Sequence, residues 1–139
     1  MITSLLLWDL FYGIQRFGKK ENPFIIVLDE CRNLQIGTGT PVMRLLTEGR
    51  KFGAGIWLAT QSKEYFQIEE RIGLEQVANR IYFKPPVSEI NKIADSLGNG
   101  GIWRKRLSNM PLGTCVISGT IYTPNGFMTG NVIAQVTAV

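Results

Sequence analysis

The sequence predicts an α/β fold: a three-layer, mostly parallel sheet with an antiparallel C-terminal edge. Three observations lead there. Phe24–Leu28 and residues 55–60 are short continuous apolar runs, which read as strands buried on both faces in the manner of parallel sheets. Segments with helical periodicity lie between such runs, giving the order α-β-α-β-α-β-α-β-β, an alternation that closes through right-handed crossovers. The last two strands are joined through the turn signal Pro124-Asn125-Gly126, which makes them an antiparallel pair.

Each element has its own signal. Residues 3–17 read as a helix because Leu7, Leu10, Phe11 and Ile14 keep the i, i+3, i+4, i+7 spacing. Leu5, Leu6 and Trp8 lie off that stripe, which implies cover on more than one face. Gly18-Lys19-Lys20 stops the helix with a glycine and cations, as the dipole favours. Pro23 opens the first strand. Residues 32–39 form a loop, and Thr40-Pro41 supplies the N-cap and first residue of a helix running to Lys51, with Val42, Leu45 and Leu46 on its apolar face. Gly53 ends that segment, and residues 55–60 form the second strand, which leads to Gln61. Residues 62–79 are polar and helical in pieces around Ile68, Ile72 and Val77. Residues 80–83 are a third strand closed by Pro85-Pro86. Ser88 caps a helix carrying Ile90, Ile93, Ala94 and Leu97, closed by Gly98. Residues 102–107 make one helical turn, and residues 114–118 and 131–136 are the last strands.

Composition narrows the function. The 139 residues amount to a single domain, and 45% apolar with 19% charged residues is not the balance of a disordered chain. The longest aliphatic or aromatic run, Phe24–Leu28, falls far short of the ~20 residues that span a bilayer. The N-terminus has no basic segment and Asp9 interrupts its apolar stretch, so no secretory signal is expected. There is no histidine, which excludes Ser-His-Asp and Cys-His catalysis and histidine-ligated metal within this chain. Cys31 and Cys115 are too few for a disulfide framework. They fit a reducing, cytoplasmic setting and buried positions in or beside strands. The net charge of +4 is mild, but Trp103, Arg104, Lys105 and Arg106 form a basic cluster with an aromatic neighbour, a candidate contact for nucleic-acid phosphates.

The chemistry-bearing residues sit at strand ends. Asp29 and Glu30 follow a buried strand, the Walker B arrangement, at the sheet edge where open α/β folds bind ligands. There Asp29 would hold the water shell of a magnesium ion, and Glu30 would orient or deprotonate the attacking water. Gln61 ends the next strand and would reach the same edge if the two strands are neighbours. Arg50 and Arg80 are candidates to stabilise charge in phosphoryl transfer, often across a subunit boundary. Taken singly, each has an ordinary reading: a strand terminus for Asp29-Glu30 and Gln61, dipole compensation for Arg50, an ion pair with Glu75 or Asp95 for Arg80. A phosphate cradle of the form G-x-x-x-x-G-K-[ST] is missing. Gly13 and Gly18-Lys19 give a partial match, but Lys20 replaces the hydroxyl residue and the stretch reads as a helix, where a backbone nest cannot form.

Three pieces in order resemble a family: Ile25-Ile26-Val27-Leu28-Asp29-Glu30, Leu46-Thr47-Glu48-Gly49-Arg50-Lys51-Phe52-Gly53 and Ile56-Trp57-Leu58-Ala59-Thr60-Gln61-Ser62 look like the HerA/FtsK superfamily of RecA-like motor ATPases. Residues 79–83 and 112–119 are similar to that family's later strands. The resemblance implies a partial RecA-like P-loop NTPase sheet, the C-terminal portion of an ATPase domain without its Walker A lobe. It implies Asp29 on Mg²⁺, Glu30 as the catalytic carboxylate, Gln61 as sensor, and Arg50 and Arg80 as nucleotide or finger contacts. It also implies ATP as nucleotide, a hexameric ring, and work in DNA translocation, conjugation or type IV secretion beside membrane-associated partners. The chain itself is expected neither to bind ATP tightly nor to hydrolyse it, and to self-associate through exposed sheet edges. The competing reading is a non-catalytic adaptor or degenerate RecA-like module docking on a partner ring. A metabolite-binding Rossmann-like domain lacks its glycine fingerprint.

Overall fold

The computed structural model describes residues 2–136. The chain is mixed α/β and divides into two compact units, Met1–Val77 and Ala78–Val139. Its described residues form five α-helices, a two-stranded parallel sheet and a three-stranded antiparallel sheet.

The first unit contains α1 (Ile2–Phe17), β1 (Phe24–Leu28), α2 (Pro41–Glu48), β2 (Ala54–Leu58) and α3 (Ile68–Leu74). Strands β1 and β2 pair in parallel with Ile26 opposite Ile56 and Leu28 opposite Leu58. Helix α2 begins as its sequence dictates: Thr40 accepts the amide N–H of Met43 on its hydroxyl, and Pro41 follows. The core joins Leu7, Phe11 and Ile14 of α1 to Val42 and Leu45 of α2, with Cys31, Ile36, Phe66 and Leu74, and the inward side chains of the two strands pack against it.

Two expectations are corrected here. The strands are covered on one face rather than both: Ile26, Leu28, Ile56 and Leu58 turn to the core, while Ile25, Val27 and Trp57 are exposed. The helices that pack on the pair supply a single layer, so the period-two alternation of a strand decides which apolar residues are buried. The same holds for α1, where Leu5, Leu6 and Leu10 are exposed and only the stripe of Leu7, Phe11 and Ile14 is buried. At the entry to β2, Gly53 has φ 79° and a Cβ there would lie 2.4 Å from the Lys19 carbonyl oxygen, so only glycine fits. Its own carbonyl accepts the Phe24 N–H at 2.8 Å, which sets β1 beside β2.

The second unit contains β3 (Arg80–Tyr82), α4 (Val87–Ser96), α5 (Gly100–Ser108), β4 (Thr114–Thr123) and β5 (Gly126–Gln135), with sheet order β3-β4-β5. The third strand therefore pairs antiparallel with β4 instead of extending the parallel pair, and Tyr82 opposite Val116 contributes to a core of Ile90, Ile93, Ala94, Leu97, Trp103, Leu107 and Met110. Pro86, not Ser88, is the N-cap of α4; its φ of −57° is pre-set for helix entry. The expected single turn at residues 102–107 is a nine-residue helix, Gly100–Ser108, with Asn99 as its N-cap at φ 50°. Trp103 and Leu107, four residues apart, give α5 its buried side. The last two strands are longer than their apolar cores suggest, ten residues each, and run in unbroken register from Thr114 opposite Gln135 to Thr123 opposite Gly126.

Candidate functional site

The site is built at the C-terminal ends of β1 and β2. Because the strands are parallel neighbours, the residues that follow them emerge side by side. Backbone bonds continue the pairing past the strands: Ala59 N–H donates to the Leu28 carbonyl and Cys31 N–H to the Ala59 carbonyl, both at 3.0 Å. Asp29, Glu30 and Gln61 are thereby brought to one edge. Gln61 Nε2 donates to Glu30 Oε1 at 2.8 Å.

The turn that presents Glu30 is tight. Glu30 has φ 48° and ψ 44°, a left-handed conformation that costs a non-glycine residue about 1 kcal/mol or more. Asp29 stabilises it by accepting the Glu30 N–H on Oδ1 at 2.8 Å. A 3₁₀ turn, Cys31–Asn33, follows at once and carries the chain away from the edge.

Two residues that the sequence reading did not single out complete the arrangement. Arg32 Nε lies 3.5 Å from Glu30 Oε2, and the Arg32 guanidinium sits 5.1 Å from the centroid of the Tyr65 ring. Tyr65 belongs to the 3₁₀ turn Lys63–Tyr65 that follows Gln61, so Arg32 ties the loop after β1 to the loop after β2. The signal was present as an arginine two residues beyond the Asp-Glu pair, but nothing in the sequence tells which aromatic ring it meets.

Cys31, next in sequence to Glu30, is buried in the core of the first unit. Burial pushes its thiol pKa up, and the neighbouring Glu30 and Asp29 charges push in the same direction. It packs as a small apolar side chain of the core.

The remaining candidates lie elsewhere. Arg50 is exposed in the 3₁₀ turn Gly49–Phe52, which precedes β2, while Gln61 follows it. A strand of this length separates the two by roughly 17 Å at ~3.3 Å per residue. Arg80 is half-buried at the start of β3, in the second unit. Trp103 is taken up in that unit's core, with Arg106 5.2 Å from its ring centroid, and Arg104 pairs with Asp95 at 2.9 Å. Lys105 is exposed on α5. Among the described residues no group of three or more Cys, Asp or Glu is placed to hold a metal ion, and no helix is long and apolar enough to cross a membrane.

An amide and two carboxylates at one sheet edge can orient a water molecule and hold the hydration shell of a hard cation. The chain matches no protein-family model and no curated protein sequence.

Proposed function

We propose that the chain is the Walker B and sensor half of a RecA-like motor ATPase of the HerA/FtsK type. The observation that carries this reading is the 2.8 Å hydrogen bond from Gln61 to Glu30, made across the ends of two adjacent parallel strands. Phosphoryl transfer asks a protein mainly for positioned charges and a positioned water. A rigid strand pair is the element that can hold an acid and an amide at a fixed separation.

The donors fit magnesium in kind. Mg²⁺ keeps most of its waters and is held by one or two carboxylates together with substrate phosphates. Asp29 and Glu30 are two such carboxylates, adjacent and at the sheet edge. In the complete ATPase the ion would neutralise charge on the nucleotide phosphates. On this chain Asp29 would hold the ion's waters, Glu30 would accept a proton from a water, and Gln61 would report on the occupancy of the edge through its bond to Glu30. The phosphate cradle is not among these residues, so nucleotide binding to the chain alone is expected to be weak and hydrolysis absent. Arg50, on the opposite end of β2 from Gln61, is suited to a neighbouring subunit of a ring rather than to its own Glu30. DNA as partner is carried by Lys105 and Arg106, with Trp103 supporting them from the core.

A non-catalytic docking module is the second reading. It is favoured by the bare outer face of the parallel pair, where Ile25, Val27 and Trp57 are all more than half exposed.

Manganese, a paramagnetic stand-in for magnesium, separates the two. Titrated into the labelled chain, Mn²⁺ is expected to broaden the amide signals of residues 29–31 and 60–61 first, and Asp29→Asn is expected to remove that preference. Broadening that spreads evenly over Glu69, Glu75 and Asp95 would leave the ATPase reading without its metal site. Steady-state ATP hydrolysis by the chain alone, lost in Glu30→Gln, would overturn the expectation that it is inactive by itself.

A further inference from the structure

The second unit ends on a strand with an open edge. In the sheet order β3-β4-β5, one side of β5 pairs with β4 along its whole length and the other pairs with no strand of the described chain. Edge strands of this length are normally blunted by lysines, prolines, bulges or inward charges, because a row of free N–H and C=O groups invites pairing with another strand. β5 has none of these devices. It is ten residues long, has no bulge against β4, and contains no proline and no charged residue. Beyond Arg106 the sequence carries no charge at all.

The strand is also complementary to itself. An antiparallel pair formed about a two-fold axis keeps side chains on their own faces of the sheet, so opposed residues must sum to an even number. Centred on Gly130, the pairing sets Met128 opposite Val132 of the second copy, Phe127 opposite Ile133, and Gly130 opposite Gly130. Phe127, Met128 and Ile133 are 79%, 42% and 48% exposed in the single chain. The two glycines at the axis have open space around them. With no charge on either strand, nothing repels the second copy.

We propose that β5 pairs edge to edge with β5 of a second copy of this chain, joining two three-stranded sheets into one of six strands. The proposal does not depend on the ATPase reading, since it uses none of Asp29, Glu30 or Gln61. It is also distinct from any association through β1 or β2, which belong to the first unit.

Gly130 is the point of test because its surroundings accept a side chain. Gly130→Glu places two carboxylates face to face at the axis, and Gly130→Lys places two ammonium groups there. Light scattering after size exclusion is expected to show a dimer for the native chain, with monomers for each variant alone. An equimolar mixture of Gly130→Glu and Gly130→Lys is expected to regain the dimer, because the opposed charges are then complementary. Amide spectra of the separate variants check that both are folded. Gly130→Cys is expected to form a disulfide-linked dimer under mild oxidation. A native chain that stays monomeric at roughly 100 µM, within the µM–mM range where unpaired strand edges associate, would overturn the proposal. So would single variants that dimerise like the native chain, or a mixture no more dimeric than its components. If an extended segment of another protein occupies the edge instead, the native chain is monomeric in isolation, which is the first of these outcomes.

Discussion

Gln61 and Glu30, thirty-one positions apart in sequence, meet through a 2.8 Å hydrogen bond because β1 and β2 are parallel and end level with one another. Both side chains are reached by water, so the bond contributes modestly to stability, about 0.5–1.5 kcal/mol. Gln61→Leu removes the donor and Glu30→Gln removes the charge it serves. The expected result is a double-mutant cycle in which the two changes together cost less than their sum, by ~0.5–1 kcal/mol in urea unfolding. Strict additivity would show that the two side chains do not act as a pair.

Arg32 extends the same contact by lying between Glu30 and Tyr65. The ion pair is exposed, and such pairs are worth only about 0–1 kcal/mol and weaken with salt. A guanidinium over an exposed ring adds ~0.5–1 kcal/mol that depends on the ring rather than on the hydroxyl. Tyr65→Phe is therefore expected to be neutral and Tyr65→Leu to destabilise by less than about 1 kcal/mol. Salt should reduce the effect of Arg32→Leu more than that of Tyr65→Leu. Equal losses from the phenylalanine and leucine variants would assign the role to the hydroxyl instead.

Cys31 gives the unit an alkaline limit. Its thiol pKa is raised above the ordinary value of 9.0, chiefly by burial. The folded state thus holds its proton to higher pH than the unfolded chain does. Below the unfolded value the two states bind the same proton and nothing is lost. Above it the unfolded state ionises first, and stability falls as pH rises through the folded value. Melting temperature is expected to drop above pH 9 in the native chain and to drop less in Cys31→Ala, which starts lower because a buried side chain has been shortened. Parallel pH profiles for the two proteins would remove Cys31 as the cause.

The strand ends were legible in the sequence because they rest on local facts. Phe24–Leu28 can only be a buried or half-buried strand, and whatever follows it must turn, so Asp29-Glu30 was fixed at an edge before any pairing was known. The adjacency of Gln61 needed only that the next strand be a neighbour. What sequence could not give was the number of layers. Ile25, Val27 and Trp57 are as apolar as Ile26 and Ile56, and nothing in their order says that one set stays exposed. The direction of β3 was equally hidden, since Arg80–Tyr82 is three residues long and its partner lies more than thirty positions on. Helix α5 was underestimated because Gly100 and Gly101 are poor helix formers, and it is Trp103 and Leu107 packing into the core that carries them.

Gly119 marks the place where β3 stops pairing with β4, and it is there for a steric reason. Its φ is 138°, and a Cβ would lie 2.2 Å from Asn79 Oδ1 and 2.6 Å from the Ala78 carbonyl oxygen. The segment entering β3 lies against β4 at this point, and Asn79 Oδ1 accepts the Thr120 N–H at 2.8 Å in place of a strand partner. Gly119→Ala must therefore strain the backbone and displace Asn79 together. The expected cost is ~1–3 kcal/mol, read as a lower melting temperature with faster amide exchange at Thr120. Asn79→Ala removes the nearer clash but also the acceptor for Thr120, and it leaves the Ala78 carbonyl in the way, so adding it to Gly119→Ala is not expected to restore stability. Gly130→Ala, in the facing strand with open space around it, provides the contrast: it should be neutral or slightly stabilising. If the two alanine variants melted alike, the close approach at Gly119 would not be what ends the pairing of β3.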